Sequence, residues 1–588
     1  MKPITFLLCL LTIQLLPAQN INFQITDYPT LNKQRIGIRG NTSPLSWEQS
    51  LFLDKDAKIN LDFAEGTEVV EYKFVLEDKK GEVVWELRSD GNRMLFLGEN
   101  MSAVIEHQWD KANPIDISRL SLLSPDQLQQ DLSLLKQAIL EINPASFRYR
   151  TQSEWDQAFR EAEIYCQQPR THAESFLLFS RLVSMVRCGH TLVNQLNQHP
   201  ITKAVVMEQA DKLPFAFSWI DNRMIVTQSA TKGESIKTGT EILSINGTPV
   251  AEILTQLLPY AAADGANDAK RISKMEGRAL SYQYDAFDAY FPLLYPPQQG
   301  HYEVSLRNQD EEAPQIMMLT AMSRQERNQI LDQRFAQRPK SFEESWDFSL
   351  MTDEIAYLKL GTMVVWRFQM DWKDFLKDAF KQMESLEIKQ LIIDIRGNEG
   401  GADLVGMELA RYLLEEDCIV QDLQPRSKIQ RVPQSIKPYI STWDTSIYDI
   451  SASLKTLGDG WYTYKNDEPT YRVPAGSKVF AGEVYWLGDA SNSSATYYLR
   501  RMAGQCQVGQ IVGTPSGGNQ NGINGGTLIL LSLPNSHFEV DIPVIGDFSR
   551  TPQPDAGLPV DVLIKPNVDA IRRGRDGQLD ALMDLMEG

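Results

Sequence analysis

The chain has 588 residues, a formal net charge of −19 at pH 7 and 42% hydrophobic residues. That length has room for about three to five domains of ordinary size, and the apolar content is that of a folded soluble chain. The acidic balance and the lack of any basic cluster argue against nucleic acid or an anionic membrane as a partner.

In chain order, residues 1–19 read as an export signal, with Lys2, an apolar stretch from Ile4 to Leu16 and the small Ala18. The stretch is too short to span a bilayer, and no other segment is apolar enough. The expectation is a periplasmic, secreted or cell-surface protein with no transmembrane segment after signal removal. Cys9 lacks small residues before it, which argues against lipid attachment. Export permits disulfides, but Cys166, Cys188, Cys418 and Cys506 show neither paired spacing nor a metal pattern. They read as buried thiols, and no metal or cofactor is expected.

Residues 20–112 contain short alternating runs such as RIGIRGN, KINLDF, VVEYKFVLED and RMLFLG, which predict a β-sandwich. Gly40 to Trp47 (GNTSPLSW), Glu71 to Phe74 (EYKF), Val84 to Glu86, Asn92 and Arg93 resemble a starch-binding domain. The resemblance implies that Trp47 and Trp85 form a platform for sugar rings, with Lys73 beside them, and makes an α-glucan or other glycan a candidate partner. The alternative is that both tryptophans belong to the sandwich core and the module is a spacer or docking surface.

Residues 113–200 turn helical. Ser124 with Gln127 predicts a capping box, followed by the stripe Leu128, Leu132, Leu135 and Ile139. Thr171 with Glu174 starts another helix, whose Phe176, Phe179, Leu182 and Val186 lead to RCGHTLV and His190. In residues 201–310, IKTGTEILSINGTPVAEILTQLL reads as a strand, an Asn246-Gly247 turn and a helix from Pro249. This resembles a PDZ module, which captures extended peptides at a sheet edge. A structural wedge or lid over a cleft is the alternative.

From 345 to 588, strands alternate with helices, predicting an α/β core with a largely parallel sheet. LIIDIRGNEGG runs from a strand through Asp394 into Gly400 and Gly401 and then a helix. VYWLGDASNSSATYYLRRM is a second buried strand, then a turn that places Ser493 at a helix N-terminus. Free N–H groups there stabilise negative charge on a substrate oxygen, so Ser493 is a candidate nucleophile. The bland reading is a helix cap.

Asp394, Arg396, Asn398, Gly400 and Gly401, the run Ser493, Ser494, Ala495, the turn Gly513 to Gly518, and the closing Gly557, Leu558, Asp561, Gly574, Asp576 and Leu579 together resemble the C-terminal-processing and tricorn-like serine peptidases. The resemblance implies a multidomain α/β protein: a β-sandwich, a helical segment, a PDZ-like module and a peptidase core of the ClpP/crotonase-like type. The family uses either a lysine or a histidine base. No lysine occurs between Ser493 and Lys565, and Gly518 stands roughly where the lysine would be. His190, in the glycine-histidine-threonine motif, is therefore the candidate base among six histidines. His537 is the runner-up; His107, His172, His199 and His301 have no motif.

The resemblance places the oxyanion between the N–H of Ser494 and that of Gly400 or Gly401. The third catalytic position holds Pro554 where many relatives carry glutamate, leaving Asp555 as candidate and Asp547 as second choice. Thr496 is a further departure from the usual glutamate. The reading is a serine peptidase acting on peptides or proteins. A non-catalytic peptide- or glycan-binding protein on a peptidase fold, and an esterase, are the alternatives.

Overall fold

The structure, a computed structural model, describes residues 19–587 except 27, 30–33, 65–66, 68, 87–91, 98–101, 110–121, 232, 234–235 and 309–312. The signal-like leader lies outside the described residues except for Gln19. Two compact units divide the chain, residues 1–121 and 122–588.

In the first unit, one sheet orders Lys58–Phe63, Gln19–Thr26 and Ser102–Gln108. A second orders Leu51–Phe52, Arg35–Gly40, Val69–Glu77 and Val83–Trp85, with Arg93–Phe96 also paired to Val69–Glu77. Alternation along these strands sends Ile21, Phe23, Ile38, Phe63 and Phe74 into one shared core. Trp47 and Trp85 are not part of it. Both are partly exposed, and their rings lie 6.2 Å apart. Arg93 points inward instead, paired with buried Glu86 at 2.6 Å.

The second unit begins with three capped helices. Ser124 and Gln127 close the predicted capping box on Pro125–Gln137, and Thr171 and Glu174 close another on His172–Ser184. Leu128, Leu132, Leu135 and Ile139 are all buried.

A sheet follows in the order Phe215–Ile220, Arg223–Ser229, Glu241–Ile245, His301–Arg307 and Gln315–Thr320. Its hairpin turn is Asn246-Gly247, with both φ angles positive at 49° and 78°, and Val250–Leu257 packs as the helix after it. Those two left-handed residues are what a tight two-residue hairpin demands.

The peptidase-like core is a six-stranded sheet ordered Trp346–Leu350, Ile355–Leu360, Gln390–Asp394, Glu483–Gly488, Gln510–Gly513 and Val562–Leu563. Only the first pair is antiparallel. Asp394 lies opposite Leu487, so two neighbouring parallel strands end side by side. The turn after each strand therefore opens at the same edge, where crevices of α/β sheets form.

The expectation of four unpaired thiols is corrected. Cys418 and Cys506, 88 residues apart, form a disulfide that ties the strand Cys418–Gln421 to the C-cap of the helix Ala495–Gln505. Sequence spacing missed it because the two residues meet only through packing. Cys166 and Cys188 are free and buried.

Candidate active site

The turn after Glu483–Gly488 is held by its own side chains. Asn492 Oδ1 accepts the Asp489 N–H at 2.9 Å, and Asn492 Nδ2 donates to Ile395 O at 2.6 Å and Asn398 O at 3.1 Å. This pins the serine turn onto the glycine turn that follows Gln390–Asp394. Ser494 is then the N-cap of Ala495–Gln505 at φ 54°, ψ −132°, with no side-chain capping bond. A serine at positive φ is strained, a state that persists where the surroundings hold it and that clusters at active sites.

The structure corrects the serine assignment by one residue. His190 Nε2 lies 3.0 Å from Ser494 Oγ. Ser493 is buried and its hydroxyl donates to Glu399 O at 3.3 Å. Sequence reasoning stopped one position short because Ser491, Asn492 and Ser493 are all good N-cap residues, so residue type does not fix where the helix starts. The sharp turn, not the residue type, decides which hydroxyl faces the imidazole.

The glycine turn fits against it. A Cβ on Gly400 would lie 2.7 Å from Ser494 Cβ and 3.0 Å from Ala495 N, and one on Gly401 would meet Met363 O at 2.1 Å; both glycines have positive φ. Asn398 organises the turn: it donates to Leu360 O, while its Oδ1 accepts from Thr496 Oγ1 at 2.7 Å and from Gly400 N at 2.9 Å. Thr496, the departure noted in the sequence, thus holds Asn398. The Gly400 N–H is committed to that bond. The N–H groups of Gly401 and Ala495 have no hydrogen-bond partner among the described residues. Of the expected donors, Ser494 with Gly400 or Gly401, the geometry leaves the Gly401 N–H free rather than that of Gly400, and Ala495 offers a further free N–H at the helix start. Asp394 and Arg396 are structural: Arg396 bridges Asp394 and Asp576, at 2.6 Å from each, and Tyr357 donates to Asp394.

His190 arrives from 304 residues upstream. Two residues beyond it, Leu192–Val193 pairs as an edge strand with Glu539–Pro543. One residue before it, the Gly189 N–H donates to Asp264 Oδ1 at 2.9 Å. A Cβ at Gly189 would lie 2.9 Å from Asp264 Oδ2, so the carboxylate occupies the space a side chain there would need. His190 Nδ1 is buried without a partner. His537 lies elsewhere, its ring 4.7 Å from that of His199.

Neither predicted carboxylate reaches the histidine. Asp555 accepts from Asn519 Nδ2 at 2.6 Å and from the Ala266 N–H at 2.9 Å, and Asp547 accepts from Tyr498 Oη at 2.5 Å. Asp264, which the sequence did not single out, is the carboxylate next to the histidine segment. No signal in its surroundings, AAADGAND, marks it.

Charge around the site comes from Asp268–Lys274 and the residues just after it. Lys270 Nζ donates to Ser491 O at 2.7 Å, and Arg278 Nη2 to Ser491 Oγ at 2.5 Å. Lys270 and Lys274 both pair with Glu399. Burial pushes the His190 imidazole down to about 4, helped by Lys274 and Lys270. Burial likewise pushes Asp264 up to about 6 and Lys270 down to about 8. Burial would raise the Glu399 carboxyl, but Lys270, Lys274 and Arg278 outweigh it and hold it well below the usual range. His190 is thus neutral near pH 7, as a proton acceptor must be.

Residues 354–532 match the family model for Peptidase family S41, and residues 209–327 match a PDZ domain. The chain is a serine-type peptidase with a family S41 domain. Among solved structures, the peptidase is similar to mature CPAF complexed with lactacystin, with a TM-score of 0.55 and 14% identity over 78% of this chain and 97% of that one. A CPAF mutant gives a TM-score of 0.56 and 13% identity over 78% and 96%. At such identity the likeness concerns the fold. Comparison with curated protein sequences gives no match. The peptidase's PDZ domain supplies the helix Asp268–Lys274, so it contributes side chains directly against the serine turn.

Proposed function

We propose that the protein hydrolyses peptide bonds with Ser494 as nucleophile and His190 as general base. The observation that carries this is the 3.0 Å contact between His190 Nε2 and the hydroxyl of a serine at positive φ. As Ser494 Oγ attacks the carbonyl carbon, its proton passes to His190 Nε2 and the carbonyl oxygen becomes an oxyanion facing the Gly401 and Ala495 N–H groups. His190 then protonates the leaving amine, and water, deprotonated by the same imidazole, hydrolyses the acyl-enzyme.

Asp264 is the positioning residue. It anchors the peptide before His190, and its charge opposes that of the transient imidazolium. The PDZ domain supports a peptide or protein substrate, since such domains add an extended chain to a sheet edge. A disulfide and the signal-like leader support an exported enzyme.

Incubation with a fluorophosphonate probe followed by intact-mass analysis tests the nucleophile. One adduct on the wild type and none on Ser494→Ala is the expected result. Labelling that survives Ser494→Ala, or no adduct on a protein that cleaves peptides, overturns it.

For the N-terminal unit we propose glycan binding. The two half-exposed tryptophan rings, 6.2 Å apart, favour it, because a sugar's C–H face packs on aromatic rings. Retention on insoluble starch, lost in Trp47→Ala with Trp85→Ala, is the expected outcome; equal retention of both proteins sinks the reading.

A further inference from the structure

Hydrogen bonding holds the His190 ring from one side only. Nε2 meets Ser494 Oγ at 3.0 Å, while Nδ1 is buried without a partner among the described residues. An imidazole turns about its Cβ–Cγ bond in a broad well, so one contact at Nε2 does not fix the plane of the ring. Asp264 accepts the Gly189 N–H, which places the backbone before the histidine and leaves the ring free to turn.

Packing supplies the missing constraint. A Cβ built on Gly525 would lie 2.9 Å from both Cε1 and Nε2 of His190 and 3.2 Å from Nδ1. An approach in the plane of the ring would leave the two nitrogens well behind Cε1, so three near-equal distances put that position over the ring face. Gly525 therefore lies with its bare Cα against the imidazole, and any side chain there would overlap the ring. It is not among the glycines with positive φ, so the ring and not backbone strain keeps a larger residue out.

Both residues are tied to one strand. Glu539–Pro543 pairs on one side with Leu192–Val193, two residues after His190, and on the other with Leu528–Ser532, three residues after Gly525. The Val544 N–H donates to Thr527 O at 3.0 Å and the Asp547 N–H to Ile523 O at 2.9 Å, which clamps the loop on either side of Gly525. The Cys188 thiol reaches Asn524 O at 3.9 Å and joins that loop to the histidine turn.

We propose that Gly525 is a second positioning residue of the reaction: its Cα, laid against the imidazole face, sets the plane in which His190 Nε2 meets Ser494 Oγ. The role rests on the reading of Ser494 as nucleophile and His190 as base. It is distinct from that of Asp264, which acts on the backbone.

The experiment compares Gly525→Ala with Gly526→Ala in the full chain, by steady-state hydrolysis, thermal unfolding and the rate of fluorophosphonate labelling. Gly526 has φ 96° and nothing within 4 Å of a Cβ, so its variant strains the same loop without touching the ring. Gly525→Ala should lower kcat by on the order of 10²-fold with KM within about threefold, and slow labelling in proportion, because a small misplacement of the base is enough. Its Tm should stay near that of the wild type, since the ring can swing aside. Gly526→Ala should lower Tm more and keep kcat within about threefold of the wild type. A wild-type kcat in Gly525→Ala, or equal losses in the two variants, overturns the proposal. A wild type that is not labelled at Ser494 overturns the reading of the site instead, so the two failures are told apart. If Gly525→Ala does not fold, the glycine-labelled wild type carries the test by nuclear magnetic resonance. One glycine Hα, held over the ring face, should resonate upfield of its ordinary range and return to it in His190→Ala; no glycine that behaves so overturns the proposal.

Discussion

The two sides of the proposed catalytic crevice are built in different ways. The nucleophile side comes from two neighbouring parallel strands, whose ends bring Gly400, Gly401 and Ser494 together within one sheet. The base side is assembled from distant chain: His190 from the helical segment, Asp264 and Lys270 from the PDZ-matched residues, and an edge-strand pairing with Glu539–Pro543. A sheet fixes its own strand ends through contiguous backbone bonds, whereas the base side depends on packing between distant parts of the chain, as where Phe176 packs against both Tyr290 and Phe538. The nucleophile should therefore tolerate disturbance of the PDZ domain better than the histidine does.

The largest effect should separate the two adjacent serines. Ser494→Ala should lower kcat by on the order of 10⁴-fold or more without unfolding the protein. Ser493→Ala should leave kcat within about threefold and cost about 1 kcal/mol or less, the worth of one hydroxyl bond to a carbonyl. Equal losses in the two variants, read by steady-state hydrolysis and thermal unfolding, would break the assignment.

On the base side, His190→Ala should approach the loss seen for Ser494→Ala. Asp264→Asn keeps an acceptor for the Gly189 N–H but removes the charge, and should lower kcat by on the order of 10²-fold with little change in KM. Asp555→Asn should change kcat far less, because that carboxylate bonds Asn519 and Ala266. If Asp555→Asn has the larger effect in the same assay, the sequence-based choice of acid is restored.

The pH profile sharpens the comparison further. His190 acts when neutral, so its limb in kcat/KM should fall as pH drops through about 4, well below the usual imidazole value. Asp264 acts when ionised, and a second limb near 6 should be present in the wild type and absent in Asp264→Asn. The stability linkage has a definite sign. His190 is depressed in the folded state, so the unfolded chain binds the proton first. Its contribution is complete above about 6.5 and is lost as pH falls towards 4. Acid titration followed by circular dichroism checks this.

The smallest effect is expected at Lys270. Lys270→Met removes a nearby positive charge and should move the His190 limb upward in pH, with kcat at neutral pH changed by less than about tenfold. A downward move would contradict the electrostatic account.

Much of the nucleophile side was legible in the sequence. The strand running into Gly400 and Gly401, the strand before the serines and the Asn246-Gly247 hairpin follow from apolar runs and turn residues, because these signals act over a few residues. The capping boxes at Ser124 and Thr171 were legible for the same reason. Which serine faces the histidine was not. That choice depends on a positive φ at Ser494, which a non-glycine residue adopts only when surrounding contacts impose it.

The sequence by itself determined the α/β core, the PDZ-like insertion, the order of the motifs and His190 as the candidate base. Tertiary structure alone decided the register of the serine turn, the use of Gly400 as a packing surface with its N–H already taken, the Cys418–Cys506 disulfide and the placement of Asp264 under Gly189. The division has a physical cause. Periodicity and turn chemistry are local and are written into neighbouring residues. A contact between residues far apart in the chain is set by how separately formed elements pack.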